Sequence, residues 1–389
     1  MNMSELTGKK IALVSTVPYF MVSQLSNQIK YFVSLGMQVT IITSSGKELS
    51  QLPLNNQIKV VILEIPRQIA ILNDFKALVK LVFLLKKESF DIVHSFTPKA
   101  GFLCALAGKI TRVPVRLHTF TGQAWATRRG LIRKIMRFSD KLVVRLMNHC
   151  YADSFSQRTF LIREGIAHSE DVTVIGKGSL GGVDLKRFSP EIFGSREKGR
   201  IKSELGLSES SFIFTYIGRI TKDKGIDELL EAFGRLQHQG LESELLLIGP
   251  VDSDGEQAMY RAKEMKYIHY IGFQEYPEHF LSISDVLCLP SYREGFGTVV
   301  IEAGAMGVPC IGTNIPGLID AIEDGVTGTL VPVRDVNELC SVMERLANDR
   351  GLCQKMGEQA NLRVKQLYDS EYVNTELVQE YICQMQKVV

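Results

Sequence analysis

The run Ser291-Tyr292-Arg293-Glu294-Gly295-Phe296-Gly297-Thr298-Val299-Val300-Ile301-Glu302-Ala303 follows an apolar, strand-like segment at 285–289 that ends in Pro290. A strand, a glycine-flanked turn and then a helix leave backbone N–H groups and the positive end of a helix at the carboxyl edge of a sheet, where phosphate groups bind. Gly295, Phe296, Gly297 and Thr298 are the candidate phosphate-binding residues of this turn. Glu294 can accept hydrogen bonds from sugar hydroxyls, and Glu302, on the helix behind, can accept two from a ribose diol. Either glutamate alone reads equally well as a solvated loop or capping carboxylate; the pair in this setting reads as a site. A second loop, Tyr216-Ile217-Gly218-Arg219-Ile220-Thr221-Lys222-Asp223-Lys224-Gly225, supplies cations. Arg219 leaves a strand just after Gly218 and Lys224 opens the next helix, so both can converge on one diphosphate. Lys222 reads as a solvated loop lysine.

Other residues carry weaker signals. His118, in Val115-Arg116-Leu117-His118-Thr119-Phe120-Thr121-Gly122, stands at a strand end as a candidate catalytic group, and His94 occupies a similar place in Asp91-Ile92-Val93-His94-Ser95. A lone histidine is more often structural than catalytic. Gly176-Lys177-Gly178-Ser179-Leu180-Gly181 satisfies the G-x-G-x-x-G spacing, but no amphipathic helix and no acid-ended strand follow, so it is not read as a dinucleotide site. Asp252-Ser253-Asp254-Gly255 imitates a metal-binding D-x-D in a polar turn without further ligands, and no metal is assigned to it. The stretch 125–149 carries Arg128, Arg129, Arg133, Lys134, Arg137, Lys141 and Arg145 against Asp140 alone, interleaved with large apolar residues. Such a segment suits an anionic membrane surface, with Arg129, Arg133, Lys134 and Arg137 as its contacts. A solvated face of a domain helix is the plainer alternative.

These residues need scaffolds, and the chain provides the pattern for two. Short apolar segments at 11–15, 38–43, 59–63, 91–94, 115–118 and 150–153 alternate with helical patterns, then restart at 212–217, 244–248, 267–271, 285–289 and 309–312. Alternation of this kind makes α/β domains with parallel, doubly wound sheets. The expected domains are 1–190 and 191–369, with a last helix over 370–389 that packs back on the first. Between strands, Ile226, Leu229, Leu230, Phe233 and Leu236 recur at helical spacing, so 224–237 lays one face on the second sheet.

Composition narrows the class. With 45% hydrophobic and 23% charged residues over 389 positions, disordered and fibrous classes drop out and two cored domains fit. The seven cysteines are scattered without C-x-x-C spacing, which favours reduced buried thiols. The N-terminal residues lack a signal-peptide pattern, and the longest apolar stretch, 77–85, is broken by Lys80 and too short to cross a bilayer, so a cytoplasmic chain is expected. The net charge of +2 conceals a division: residues 1–190 hold 26 Lys and Arg against 12 Asp and Glu, and the remainder 19 against 31. The two halves therefore meet different partners or each other; no nucleic acid is expected among them.

The Glu-x7-Glu pair Glu294 and Glu302, followed by Ala305-Met306-Gly307-Val308-Pro309, Gly317 and Asp324-Gly325-Val326-Thr327-Gly328, resembles the retaining glycosyltransferases of family 4 over most of 212–332. The turn at 292–297 with Thr313-Asn314-Ile315-Pro316-Gly317 looks most like enzymes that build capsule and lipopolysaccharide on lipid carriers. The resemblance implies a GT-B fold, two Rossmann-like domains facing a central cleft. It implies that Gly218, Arg219, Lys224, Gly295 to Thr298 and Glu302 bind the donor, a nucleotide diphosphate sugar, with Arg219 and Lys224 stabilising the leaving diphosphate. It implies that Glu294 orients the sugar, that His118 lies near it, and that the acceptor is a lipid-linked glycan, while the basic stretch 125–149 leads one to expect the chain on the inner face of the membrane. The nucleotide sugar, UDP-linked by expectation, is a substrate, so no cofactor and no metal are expected. Many members carry a Gly-Gly turn after the first strand; this chain has Ser15-Thr16-Val17-Pro18-Tyr19-Phe20-Met21 instead. A nucleotide-sugar 2-epimerase on the same fold and a non-catalytic nucleotide-sugar-binding protein remain the alternatives.

Overall fold

Runs of Val, Ile, Leu and Phe bounded by glycine and polar residues form the strands of two all-parallel sheets in a computed structural model that describes residues 3–52, 55–66 and 70–388. The first sheet comprises β1 Lys10–Val14, β2 Gln38–Thr43, β3 Ile58–Ile62, β4 Ile92–Ser95, β5 Val115–Phe120, β6 His149–Ala152 and β7 Val172–Val174. Their order is β3-β2-β1-β4-β5-β6-β7. The second comprises β8 Phe212–Ile217, β9 Ser243–Ile248, β10 Ile268–Gly272, β11 Val286–Leu289, β12 Cys310–Thr313 and β13 Gly328–Val331, in the order β10-β9-β8-β11-β12-β13. Both are doubly wound, with the order reversing between β1 and β4 in one and between β8 and β11 in the other. Strands buried on both faces read as continuous apolar runs, which is why β9 is buried along its whole length.

The chain divides into two compact units, residues 1–182 with 370–389, and residues 183–369. The boundary falls earlier than Pro190. Val183 pairs with Asp369 in a parallel bridge, its N–H donating to Tyr368 O at 2.8 Å, and Phe188 and Phe193 are buried in the second core. Residues 183–190 are thereby held by apolar burial and backbone pairing in the second unit. The last helix, Ser370–Gln386, packs on the first unit, burying Val373, Leu377, Val378, Tyr381 and Ile382 near the helix Pro18–Ser34. Each large apolar side chain so buried stabilises by roughly 1.5–3 kcal/mol.

In the first unit the helices Ile71–Glu88, Pro98–Thr111 and Gly130–Leu146 pack side by side over one face of the sheet. All seven cysteines are free thiols, six of them buried. Among the described residues no helix is long and apolar enough to cross a membrane.

Candidate functional site

β8 and β11 are neighbours on either side of the reversal in the second sheet, so the loops that leave their carboxyl ends run along one edge. This brings together residues far apart in sequence. Lys224 Nζ lies 2.5 Å from Glu294 Oε1, and both side chains are largely buried. Ser291 Oγ donates to the same carboxylate oxygen at 2.8 Å. Arg293 Nη2 donates to Asp223 Oδ2 at 2.8 Å, Tyr292 N–H donates to Asp223 O at 2.8 Å, and the Tyr292 hydroxyl donates to Glu228. Arg334 covers the Tyr292 ring at 4.5 Å. The loops touch so closely at Gly225 that a Cβ there would sit 2.0 Å from Pro290 O, and its φ of +70° adds a second reason for glycine. Gly317 does the same on the other side, where a Cβ would lie 2.3 Å from Gly295 O at a φ of +93°.

Arg219 follows Gly218 off the end of β8 and pairs with Asp252, in the loop after β9; the Tyr216 hydroxyl fixes its backbone by donating to Arg219 O at 2.6 Å. The acidic turn at 252–255 is thus the site of a guanidinium partner. Among the described residues no group of three or more His, Cys, Asp or Glu is placed to hold a metal ion. Both candidate cations have carboxylate partners, Arg219 with Asp252 and Lys224 with Glu294. An incoming diphosphate competes for those charges and, on Lys224, frees Glu294 to accept from hydroxyl groups.

Gly295, Phe296, Gly297 and Thr298 lead into the helix Thr298–Ala305, whose N-cap Gly297 adopts a φ of +85° and offers no capping side chain. Phe296 differs from expectation. Its ring is buried and meets Tyr368 edge-on at 5.3 Å, so only its backbone faces this turn. Glu302 lies in different electrostatic surroundings from Glu294. Part of its surface is accessible, but the atoms packed around it withhold water from the carboxyl, and this desolvation pushes its pKa up to about 7, with Arg187 pulling it down and Glu278 pushing it further up. Arg187 grips Glu278 with two hydrogen bonds, 2.7 and 2.8 Å. Arg187, Glu278 and Asp252 went unassigned in the sequence, although Asp252 stood out there as part of an acidic turn.

In the first unit His118 lies inside the sheet, 1% exposed, with Nδ1 2.9 Å from Ser95 Oγ and its ring against Gly101, where a Cβ would come within 2.5 Å. Burial pushes the imidazole down to about 3, so it is neutral. It projects from within β5, with its ring edge-on to Phe120 at 4.6 Å. His94 is also fully enclosed: Nδ1 meets the Tyr381 hydroxyl at 2.6 Å and Nε2 meets Thr119 Oγ1 at 2.8 Å. Burial, with His118 nearby, holds it well below the usual histidine range.

The basic stretch splits in two. Arg133 and Arg137 both pair with Glu164, and their guanidinium groups lie 5.5 and 5.2 Å from the Trp125 ring centroid. Both are partly exposed, and the buried indole gives their cations an aromatic partner. Arg129 and Lys134 are exposed. Trp125 Nε1 donates to the buried Asp140 at 2.7 Å; desolvation pushes that carboxyl up to about 7, with the indole bond opposing. The glycine-rich run at 176–181 lies in the loop after β7 with no helix following, as its sequence context suggests.

Residues 197–363 match the family model of glycosyl transferases group 1, and residues 21–179 match that of glycosyltransferase family 4. The chain is 32% identical to the capsular polysaccharide biosynthesis glycosyltransferase CapM of Staphylococcus aureus over 92% of this chain and 93% of that protein. It is 28% identical, over 74% of each, to the Escherichia coli UDP-Gal:alpha-D-GlcNAc-diphosphoundecaprenol alpha-1,3-galactosyltransferase. Among solved structures, HepE of Anabaena in complex with UDP and glucose superposes with a TM-score of 0.81 at 18% identity, covering 96% of this chain and 99% of that one. The order of strands, the edge where the β8 and β11 loops meet and the near full-length match to CapM agree: the chain belongs to glycosyltransferase family 4, an enzyme whose two Rossmann-like units are those of the GT-B fold.

Proposed function

We propose that this glycosyltransferase moves a hexose or N-acetylhexosamine, with retention at the anomeric carbon, from a UDP-linked sugar to a lipid-linked glycan during capsule or related surface-polysaccharide synthesis. The observation that carries the donor side is the 2.5 Å contact between Lys224 and Glu294, which joins a phosphate-seeking cation to a sugar-seeking carboxylate at one sheet edge. Arg219, Lys224 and the start of the helix Thr298–Ala305 oppose the charge that grows on the diphosphate as its bond to the sugar breaks. In this reading they supply that charge without a metal ion. Glu294, once Lys224 turns to phosphate, holds the sugar by its hydroxyls and is not a covalent nucleophile. Glu302 takes the ribose diol.

The acceptor class is supported by the names of two relatives, a capsular polysaccharide enzyme and a galactosyltransferase acting on a diphosphoundecaprenol-linked sugar. UDP is supported by that galactosyltransferase and by the UDP bound to HepE. The first unit takes the acceptor, and its exposed cations, Arg129 and Lys134 among them, hold the protein peripherally on an anionic inner leaflet. Calorimetric titration of UDP tests the donor site. Arg219→Ala and Lys224→Ala each remove a charge-assisted contact worth roughly 1.5–3 kcal/mol, about a tenfold to hundredfold loss in affinity. Unchanged affinity in both variants would remove the diphosphate assignment.

A further inference from the structure

The helix Ile71–Glu88 is apolar on two faces and buried on one. Ala77, Leu81 and Leu85, spaced four apart, face the core. On the other side Leu72, Phe75 and Phe83 expose 79%, 63% and 70% of their surface, with Val79 between them. A surface helix ordinarily turns polar residues outward, so a second apolar stripe at helical spacing marks a contact surface. The stripe does not stand alone. The helix Gly130–Leu146, in the same layer beyond Pro98–Thr111, exposes Leu131 at 71% and Phe138 at 66%.

Charge identifies what covers it. Every exposed ionisable side chain on these three helices is a cation: Lys76, Lys80, Lys86 and Lys87 on the first, Lys109 on the second, and Lys134, Lys141 and Arg145 on the third. The acids are withdrawn. Asp74 pairs with Lys99, Glu88 with Lys59, and Asp140 is buried under Trp125. The same face of a second copy would set cations against cations, whereas an anionic leaflet offers phosphates to the lysines and acyl chains to the rings between them.

We propose that Leu72, Phe75, Val79 and Phe83 form an insertion face that enters the acyl boundary of an anionic bilayer, with the lysines of the same helix at headgroup level. This rests on the peripheral-membrane reading above but adds an apolar, salt-resistant component on an element that the basic-helix reading does not include. Flotation with phosphatidylcholine vesicles, with and without about 30% phosphatidylglycerol, at about 0.1 and 0.5 M salt, tests it. The wild-type protein should bind the anionic vesicles and keep a bound fraction at high salt. The triple variant Leu72→Ser, Phe75→Ser, Phe83→Ser, with an unchanged melting temperature, should bind on the order of tenfold more weakly and lose that remainder at high salt. Phe83→Ser alone should give a smaller loss in the same direction and serves if the triple variant does not fold. Arg129→Glu with Lys134→Glu should weaken low-salt binding but keep the salt-resistant fraction. Wild-type binding by the serine variants, with the charge-reversed variant still defective, would overturn the insertion face and leave electrostatic docking standing. Binding to neither vesicle would overturn both, and a wild-type dimer that the serine variants dissociate would assign the face to a second copy.

Discussion

The two glutamates of the Glu-x7-Glu pair share a motif but not an environment, and their variants should tell them apart. Glu294 is held by Lys224 and Ser291, while Glu302 is raised to about 7 mainly by desolvation, with Arg187 opposing. Ribose hydroxyls donate only to an ionised acceptor with full strength, so binding favours the charged form of Glu302. Affinity for a UDP-sugar, whose diphosphate diester does not titrate here, should be full above about pH 7 and fall as the pH drops below it. In Glu302→Gln the affinity should be weaker and nearly flat with pH, measured by calorimetry between pH 6 and 8; an unchanged slope would detach Glu302 from the nucleotide. Glu294→Gln should bind UDP almost normally and turn over at least roughly tenfold more slowly, because it loses an acceptor for the sugar and not for the nucleotide. The reverse pattern would exchange the two roles. Motif spacing singled out Glu294 and Lys224, which the fold brings into contact. Asp252 was not legible as a partner of Arg219, since that pairing depends on β9 lying beside β8, and neither was the burial of His118, because strand position alone does not distinguish an inward ring from one at the edge.

Loops and seams carry their own tests. Gly225 lets the β8 loop pass under Pro290, so Gly225→Ala meets both a left-handed φ and a backbone oxygen. It should cost more than about 1 kcal/mol of stability and weaken UDP binding by moving Lys224, read from a chemical melt and a titration on one sample. Stability lost without loss of binding would separate this loop from the site. In the first unit, His94 joins β4 to the last helix through Tyr381 and to β5 through Thr119. Tyr381→Phe leaves a buried ring nitrogen without its partner and should cost about 1–3 kcal/mol. His94 and His118 are both depressed by burial, so the folded state resists protons that the unfolded chain accepts below about 6.5. Their contribution is present above that pH and is lost as pH falls towards 3, so melting temperature should decline from pH 7 to pH 5, less so in His118→Asn. Most strands were legible because buried parallel strands are short apolar runs. β7 and β13 were not, one being only three residues long and the other merging with the glycine loop before it. The helix Ile71–Glu88 also hid its outward face, because apolar residues on two sides of a helix do not show which side is buried.

At the scale of the whole chain, two parallel-sheet units were foreseeable from the restart of the strand pattern, and the excess of cations before residue 190 from a count. The point at which the chain changes unit was not: Val183 joins the second unit through its bridge to Asp369, a pairing of residues far apart in the chain. Family membership makes the chain a glycosyltransferase, and we propose that a sugar leaves UDP only when a lipid-linked glycan is there to receive it. The most direct measurement incubates the protein with a panel of nucleotide sugars, with and without diphosphoundecaprenol-linked acceptors, and follows free UDP, the donor sugar and the lipid product together. UDP and an elongated lipid should form in equal amounts, only with acceptor present, with retained anomeric configuration and loss of product in Arg219→Ala. Conversion of a UDP-hexosamine to its epimer without acceptor, or binding of nucleotide sugars with no turnover on any acceptor, would contradict it.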